Sequence, residues 1–313
     1  MTRAYLFPGQ GSQAVGMGKE LAGAFAPARL VFQEVDDALS QKLSSLMFEG
    51  PETELILTEN AQPALMAVSL AVVRVLEQEF GVDLVAKASY AAGHSLGEYS
   101  ALCAMGSLTL ADTARLLKLR GQAMQKAVPV GEGAMAALLG VDLDVAQAVV
   151  EEAAQGEVVS CANDNGPGQV VISGKRTAVE RALEVAKAKG GKRAMLLPVS
   201  APFHCALMQP AADAMQAALA DVTLLAPKLP VVSNVTAKGE SNPADIKKLL
   251  VAQVTGLVRW RELTLWLKEQ DVAQAVELGS GKVLAGLVKR IDKSIEATSL
   301  NSPAELEAWA KSV

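Results

Sequence analysis

Two periodicities alternate along the chain. Short apolar runs such as AYLF end in glycine or proline turns, as buried strands do. Longer stretches repeat apolar residues every three or four positions, as amphipathic helices do. The alternation from end to end predicts an α/β fold. AYLF reads as a first strand entering the Gly-rich turn FPGQGSQ, and residues 17–48 read as helical. NAQPALMAVSLAVVRVLEQEF is apolar nearly all round and predicts a buried helix. KASYAAG then reads as a strand and GEYSALCAM as a helix, with GHSLG between them.

Residues 129–199 follow another order. MAALLGV, EVVSCA, GQVVISG and RAMLLPV read as strands, and DVAQAVVEEAAQ and KRTAVERALEVAKAKG as helices. The order β-α-β-β-α-β is that of a ferredoxin-like unit. The expected organisation is a subdomain of residues 129–199 inserted into a larger core of residues 1–128 and 200–313. That core resumes with strands at LPVVSNV and AQAVELGSG and closes with a helix at KVLAGLVKRI.

GHSLG has the G-x-S-x-G form of a nucleophile elbow, and a strand before it and a helix after it are the context that form requires. A serine hydroxyl is a weak nucleophile until a base takes its proton. The chain has only two histidines, His94 and His204. Adjacent side chains on a sharp turn diverge, so His94 reads as a partly buried structural residue. His204, in a loop stiffened by Pro198 and Pro202, is left as the base for Ser95. The N–H of Leu96, at a helix N-terminus, can donate to a developing oxyanion. The alternative is a chance match of two glycines and a serine.

Two further features stay open on sequence alone. FPGQGSQ loosely fits a dinucleotide fingerprint, but no second strand ending in an acidic residue follows at the needed distance. Its other reading is a loop whose Gln10 offers an amide donor to a site. In DTARLLKLRGQAMQKA, Arg120 shares a helical stripe with Leu116, Ala123, Met124 and Ala127. A cation on the apolar face needs an anion. That anion is either a carboxylate of the protein or the carboxylate of a substrate held by a two-bond clamp.

Composition narrows the field. The net charge is −5 with a fifth of the residues charged, which does not suit nucleic-acid binding. Cys103, Cys161 and Cys205 lie far apart, form no C-x-x-C pair, and imply a reducing compartment. MTRAYLFPGQ does not read as a signal peptide, and no apolar run reaches membrane-spanning length. A cytoplasmic protein without membrane contact is expected.

The motifs FPGQGSQ, Gln62-Pro63 in NAQPAL, GHSLGEYSAL, LRGQAM, NDNGPGQVVISG, PVSAPFHCALM and ELGSGKVL occur in this order. Together they resemble the malonyl-CoA:acyl-carrier-protein transacylase family over nearly the whole chain. The resemblance implies an α/β-hydrolase-like core with an inserted ferredoxin-like subdomain. It implies Ser95 as the acylated nucleophile and His204 as its base. Gln10 and Leu96 would shape the oxyanion hole, and Arg120 would hold the free carboxylate of malonate. Met124, Asn163 and Phe203 would line the acyl pocket. Gln253, of the Q-x6-W stretch ending at Trp260, would orient His204 through its carbonyl. Phe203 stands where some members have serine, so its ring should narrow the pocket against a branched acyl group. The implied partners are malonyl-CoA and acyl carrier protein, with no cofactor and no metal; a monomer suits a single self-contained core. Lys187, Lys189, Lys192, Arg193, Lys289 and Arg290 form a candidate basic face for an acidic carrier. The competing functions are a serine hydrolase of similar fold, which would release free acid, and a nucleotide-binding scaffold built on FPGQGSQ.

Overall fold

A computed structural model of the protein describes residues 2–313. Among them two sheets are found. The larger has strands β1 (Thr2–Phe7), β2 (Tyr90–Gly93), β7 (Val231–Val232), β8 (Gly239–Glu240), β9 (Val272–Leu278) and β10 (Glu296–Leu300). Their order is β10-β9-β1-β2-β7-β8, and every pairing is parallel except that of β7 with β8. A parallel sheet is covered on both faces, and β1 shows it residue by residue. Tyr5 and Phe7 belong to one apolar cluster with the helices Thr58–Gln78 and Leu110–Ala127. Ala4 and Leu6 belong to another, with Trp260, Leu263, Leu284 and Leu287. Alternate residues of a strand point to opposite faces, so one apolar run feeds both cores. The Thr58–Gln78 helix is sandwiched within the first cluster and is buried from Asn60 to Val73 on all sides, as its unbroken apolar sequence requires.

The smaller sheet contains β3 (Gly133–Leu139), β4 (Val159–Gly166), β5 (Gln169–Lys175) and β6 (Arg193–Leu196), in the order β4-β5-β3-β6 with antiparallel pairings. With the helices Leu143–Ala154 and Arg176–Ala188 it follows the β-α-β-β-α-β order. Ala136, Leu138, Val170 and Ile172 pack on those helices in a core of their own. Met135 and Val171, on the other face, join the first cluster of the large sheet. A bridge between Asn163 and Val258 ties β4 to the chain just before the Trp260–Glu269 helix.

Some elements differ from expectation at their ends. The helical stretch 17–48 is three helices, Lys19–Ala24, Ala26–Leu39 and Leu43–Glu49, broken at Phe25 and Ser40. The apolar run LPVVSNV yields only two paired strand residues before the chain turns to β8. KVLAGLVKRI is a helix but does not close the fold. It is followed by β10 and the helix Pro303–Ala310, whose start is marked by a capping box of Ser302 and Glu305. Among the described residues no helix is long and apolar enough to cross a membrane.

Candidate active site

The carboxyl ends of parallel strands are where α/β sheets bind ligands, and the two central strands end side by side here. Phe7 of β1 pairs with Gly93 of β2. The chain then turns through His94 and Ser95 into the helix Gly97–Ala104. The turn is tight because both flanking glycines are pressed against backbone. A Cβ on Gly93 would lie 1.9 Å from the Gly97 carbonyl, and one on Gly97 would lie 2.2 Å from the Phe7 oxygen. No side chain fits at either position. Ser95 itself takes the left-handed φ of 52°, a conformation that costs about 1 kcal/mol or more for a residue with a Cβ. Asn234, just beyond β7, holds the turn there. Its Oδ1 accepts from Ser95 N at 2.7 Å and its Nδ2 donates to Gly93 O at 2.7 Å.

His204 meets Ser95 from a loop before the short helix at Ala206–Met208. It also has a left-handed φ, 58°. Its Nε2 lies 2.8 Å from Ser95 Oγ, and its Nδ1 lies 2.9 Å from Gln253 O. A carbonyl only accepts, so Nδ1 carries the proton and Nε2 turns a lone pair to the serine. Burial, and behind it the charge of Arg120, pushes His204 down to about 3. The imidazole is therefore neutral in the resting site.

Arg120 is buried within this cluster, 1% exposed. It donates from Nη1 to Gln62 Oε1 at 3.0 Å, and from Nη2 to Gln253 Oε1 at 2.8 Å and Ser95 Oγ at 3.1 Å. Its Nε has no partner among the described residues. The Tyr99 ring lies 5.7 Å from its Cζ. The partners of this cation are thus amide and hydroxyl oxygens and not a protein carboxylate. Glu98 acts on its charge without touching it, and the arginine Nε is left without a hydrogen-bond partner among the described residues.

The other expected residues fall at varying distance from this centre. The N–H groups of Gln10 and Leu96 have no acceptor among the described residues. The loop carrying Gln10 presses on the elbow, since a Cβ on Gly9 would lie 2.7 Å from the His94 oxygen. The Gln10 side chain, however, turns to Thr58 Oγ1 in a long contact of 3.5 Å. Met124 is buried beside Gln62, whose Nε2 is 3.7 Å from its sulfur. Phe203 is buried next to His204 in the chain. Asn163 is buried on β4 at the bridge to Val258. The residue of that strand that reaches the elbow is Asn165, whose Oδ1 lies 2.9 Å from His94 Nε2. The His94 ring also lies 5.5 Å from that of Trp260, and burial pulls its pKa down.

Four residues of the cluster escaped sequence reasoning in any role at the site: Gln62, Glu98, Asn165 and Asn234. Gln62 and Asn234 are polar residues inside or at the end of an apolar run. That is a usable signal, since buried polar groups need partners, but it does not say which partners. Glu98 beside the elbow glycine and Asn165 in the polar stretch NDNG carry no such signal.

The chain matches the family described as acyl transferase domain over residues 4–300. It is 47% identical over 306 residues to the malonyl CoA-acyl carrier protein transacylase of Escherichia coli strain K12, covering 97% of each chain. It is 45% identical over 305 residues to the protein of the same name from Bacillus subtilis strain 168, covering 97% of this chain and 95% of that one. Among solved structures, the acyl-carrier-protein-S-malonyltransferase from Bartonella henselae matches with a TM-score of 0.97 at 57% identity, over 100% of this chain and 99% of the other. A malonyl-transacylase solved in complex with its type II PKS acyl-carrier protein matches with a TM-score of 0.96 at 45% identity, over 100% of both chains.

Proposed function

This chain belongs to the acyl transferase domain family, and from that premise we propose how its residues carry the reaction. The reaction is the transfer of a malonyl group from malonyl-CoA to the thiol of acyl carrier protein. One observation carries the residue-level reading: a single oxygen, Ser95 Oγ, lies within hydrogen-bond reach of both a neutral imidazole and an arginine without a carboxylate partner.

Ser95 Oγ attacks the thioester carbonyl while its proton passes to His204 Nε2. The N–H groups of Leu96 and Gln10 take the oxyanion, Leu96 with the added field of a helix N-terminus. The CoA thiolate leaves with the proton from His204. The phosphopantetheine thiol of the carrier then gives its proton to His204 and attacks the malonyl-serine ester. Ser95 recovers its proton as it leaves. The imidazolium that forms twice in this cycle is steadied by the Gln253 carbonyl on Nδ1.

Arg120 gives the malonyl group its own part in this. Burial, and after it the guanidinium beside Ser95, lowers the basicity of His204. A carboxylate that pairs with Arg120 cancels that charge and so eases the transfer of the proton to the imidazole. The free Nε–H of Arg120 supports this seat. Met124, Asn163 and Phe203 line the acyl side of the pocket in this reading, with the Phe203 ring limiting branched acyl groups.

The division of the chain into residues 1–128 with 200–313, and an inserted subdomain of 129–199, is part of the same proposal. It is supported by the separate apolar core that the small sheet closes with its two helices. A cytoplasmic monomer is proposed as well, on the unpaired cysteines and the self-contained core. The discriminating assay supplies malonyl-CoA with and without holo carrier protein. Malonyl-carrier should accumulate and free malonate should not. Release of malonate at the same rate with and without carrier would favour a hydrolase instead.

A further inference from the structure

We propose that Glu98 is a positioning residue: its carboxylate fixes the orientation of the Gln253 amide, and through that amide the aim of Arg120. The proposal rests on the reading of Arg120 as the seat of the acyl carboxylate.

Glu98 stands in the first turn of the elbow helix, among the buried residues Leu96, Tyr99, Ala101 and Leu102. It is 3% exposed. A carboxylate in such surroundings is costly unless its oxygens are satisfied. Its Oε2 accepts from Asn234 N at 3.0 Å and from Gln253 Nε2 at 2.8 Å.

The second bond has a consequence for the site. The two ends of a glutamine amide are alike in shape, and only their partners decide which end is oxygen. Here Nε2 is held between two acceptors, Glu98 Oε2 and Ser95 O, the latter at 3.0 Å. Oε1 is therefore the end that faces Arg120 Nη2. Turned over, the amide would set N–H against N–H. Arg120 would lose one of its three acceptors and move from its place beside Ser95. His204 does not share this dependence, because it is held by the backbone oxygen of Gln253. Loss of the Glu98 acceptor should thus disturb the arginine and spare the histidine.

The test is the ratio of kcat/KM for malonyl-CoA to that for acetyl-CoA. It is measured on the wild type, Glu98→Leu, Gln253→Met, the double variant and Glu98→Gln, with melting temperatures alongside. Glu98→Leu should lower the ratio roughly 10- to 100-fold, the worth of one hydrogen bond to a charged group. Acetyl transfer should fall much less. Gln253→Met keeps the backbone carbonyl and should lower the ratio similarly. The double variant should fall no further than either single, since both act on one contact. Glu98→Gln keeps an acceptor oxygen and should recover most of the ratio. If Glu98→Leu does not fold, Glu98→Asp, which draws the oxygen back, takes its place with the same expected fall. A ratio within twofold of wild type in a folded Glu98→Leu or Glu98→Asp protein overturns the proposal. So do single effects that multiply in the double variant. A wild type that transfers no malonyl at all would overturn the reading of the site itself, which is a separate result.

Discussion

His204 and His94 both lie beside Ser95, one across space and one along the chain, and their neighbourhoods differ in kind. Around His204 each ring nitrogen has a polar partner with a chemical consequence: a carbonyl that fixes the tautomer and a hydroxyl that can give up its proton. Around His94 the partners are an amide from the small sheet and the tilted ring of Trp260, under the loop at Gly9. Nothing there can move a proton to or from Ser95. Adjacency in sequence places His94 on the wrong side of a sharp turn. The imidazole that does reach Ser95 Oγ comes from a segment 109 residues away. The elbow thus separates what is covalently joined and leaves Ser95 open to distant parts of the chain.

The comparison breaks first, and with the largest effect, at the histidines themselves. His204→Ala should lower kcat/KM by something on the order of 10⁶, as removal of the base does in serine nucleophile enzymes. His94→Ala should lower it no more than roughly tenfold and should show mainly as a melting temperature a few degrees lower. Equal catalytic losses at unchanged melting temperature would erase the distinction.

Arg120 sharpens the comparison at the next level. Arg120→Ala leaves the acyl carboxylate unpaired and should lower malonyl transfer about 30- to several-thousand-fold. Acetyl transfer should hold or improve, because the charge that weakens His204 is gone and no carboxylate needs a partner. Arg120→Lys should restore only part, since a point charge cannot make the planar two-bond contact. A fall of equal size for both acyl groups would make Arg120 a structural residue.

The pH profile tests the same electrostatics. His204 falls to about 3 in the folded protein against an ordinary 6.5, with Arg120 and, more weakly, His94 adding to the effect of burial. The unfolded chain therefore binds a proton that the folded one refuses. His204 then costs stability as pH falls from 6.5 towards 3. Burial raises Glu98 from 4.5 to about 7, so its contribution runs the other way and is lost as pH rises through that range. For activity the expectation is plain: kcat/KM, which reports the free enzyme, should show no limb due to histidine near pH 6.5. A tenfold drop per pH unit beginning there would place the base in a solvated, uncharged setting instead.

The smallest expected effect concerns the carrier. Of the six basic residues read from the sequence, Lys187 and Lys189 are engaged by Glu184 at 2.7 Å and Glu152 at 2.9 Å. Lys192, whose stem lies against Gly140 just before β6, and Arg290, on the helix Val283–Ile291 and bonded to Gln169 of β5, are both exposed. Charge reversal at these two should raise the KM for carrier a few-fold at low salt and leave malonyl-CoA unaffected. Reversal at Lys187 and Lys189 should do less. An unchanged carrier KM would remove this face from consideration.

What could be read from the sequence divides along physical lines. The elbow, the β-α-β-β-α-β unit and the apolar-face position of Arg120 are local: each follows from periodicity and turn residues within a few dozen positions. The stripe that put Arg120 among apolar neighbours is realised as near-complete burial. What stayed hidden depends on strand order. Asn234 reaches Ser95 only because β7 lies beside β2, and Asn165 reaches His94 only because β4 bridges to Val258. Glu98 has no legible role within the elbow motif, since its partners come from 136 and 155 residues away. No local pattern carries such information. Nor could the Gln10 side chain be aimed from sequence, because it turns to Thr58 at the start of a helix 48 residues on.

The identity of the acylated atom decides the role of Ser95 most directly. Mixing the protein with malonyl-CoA in the absence of carrier, followed by intact-mass measurement and peptide mapping, should show one malonyl group, carried on Ser95. Addition of holo carrier protein should discharge it. Ser95→Ala should carry none. A malonyl mass that persists on the Ser95→Ala protein, or a wild type that turns over without ever bearing one, would contradict the account.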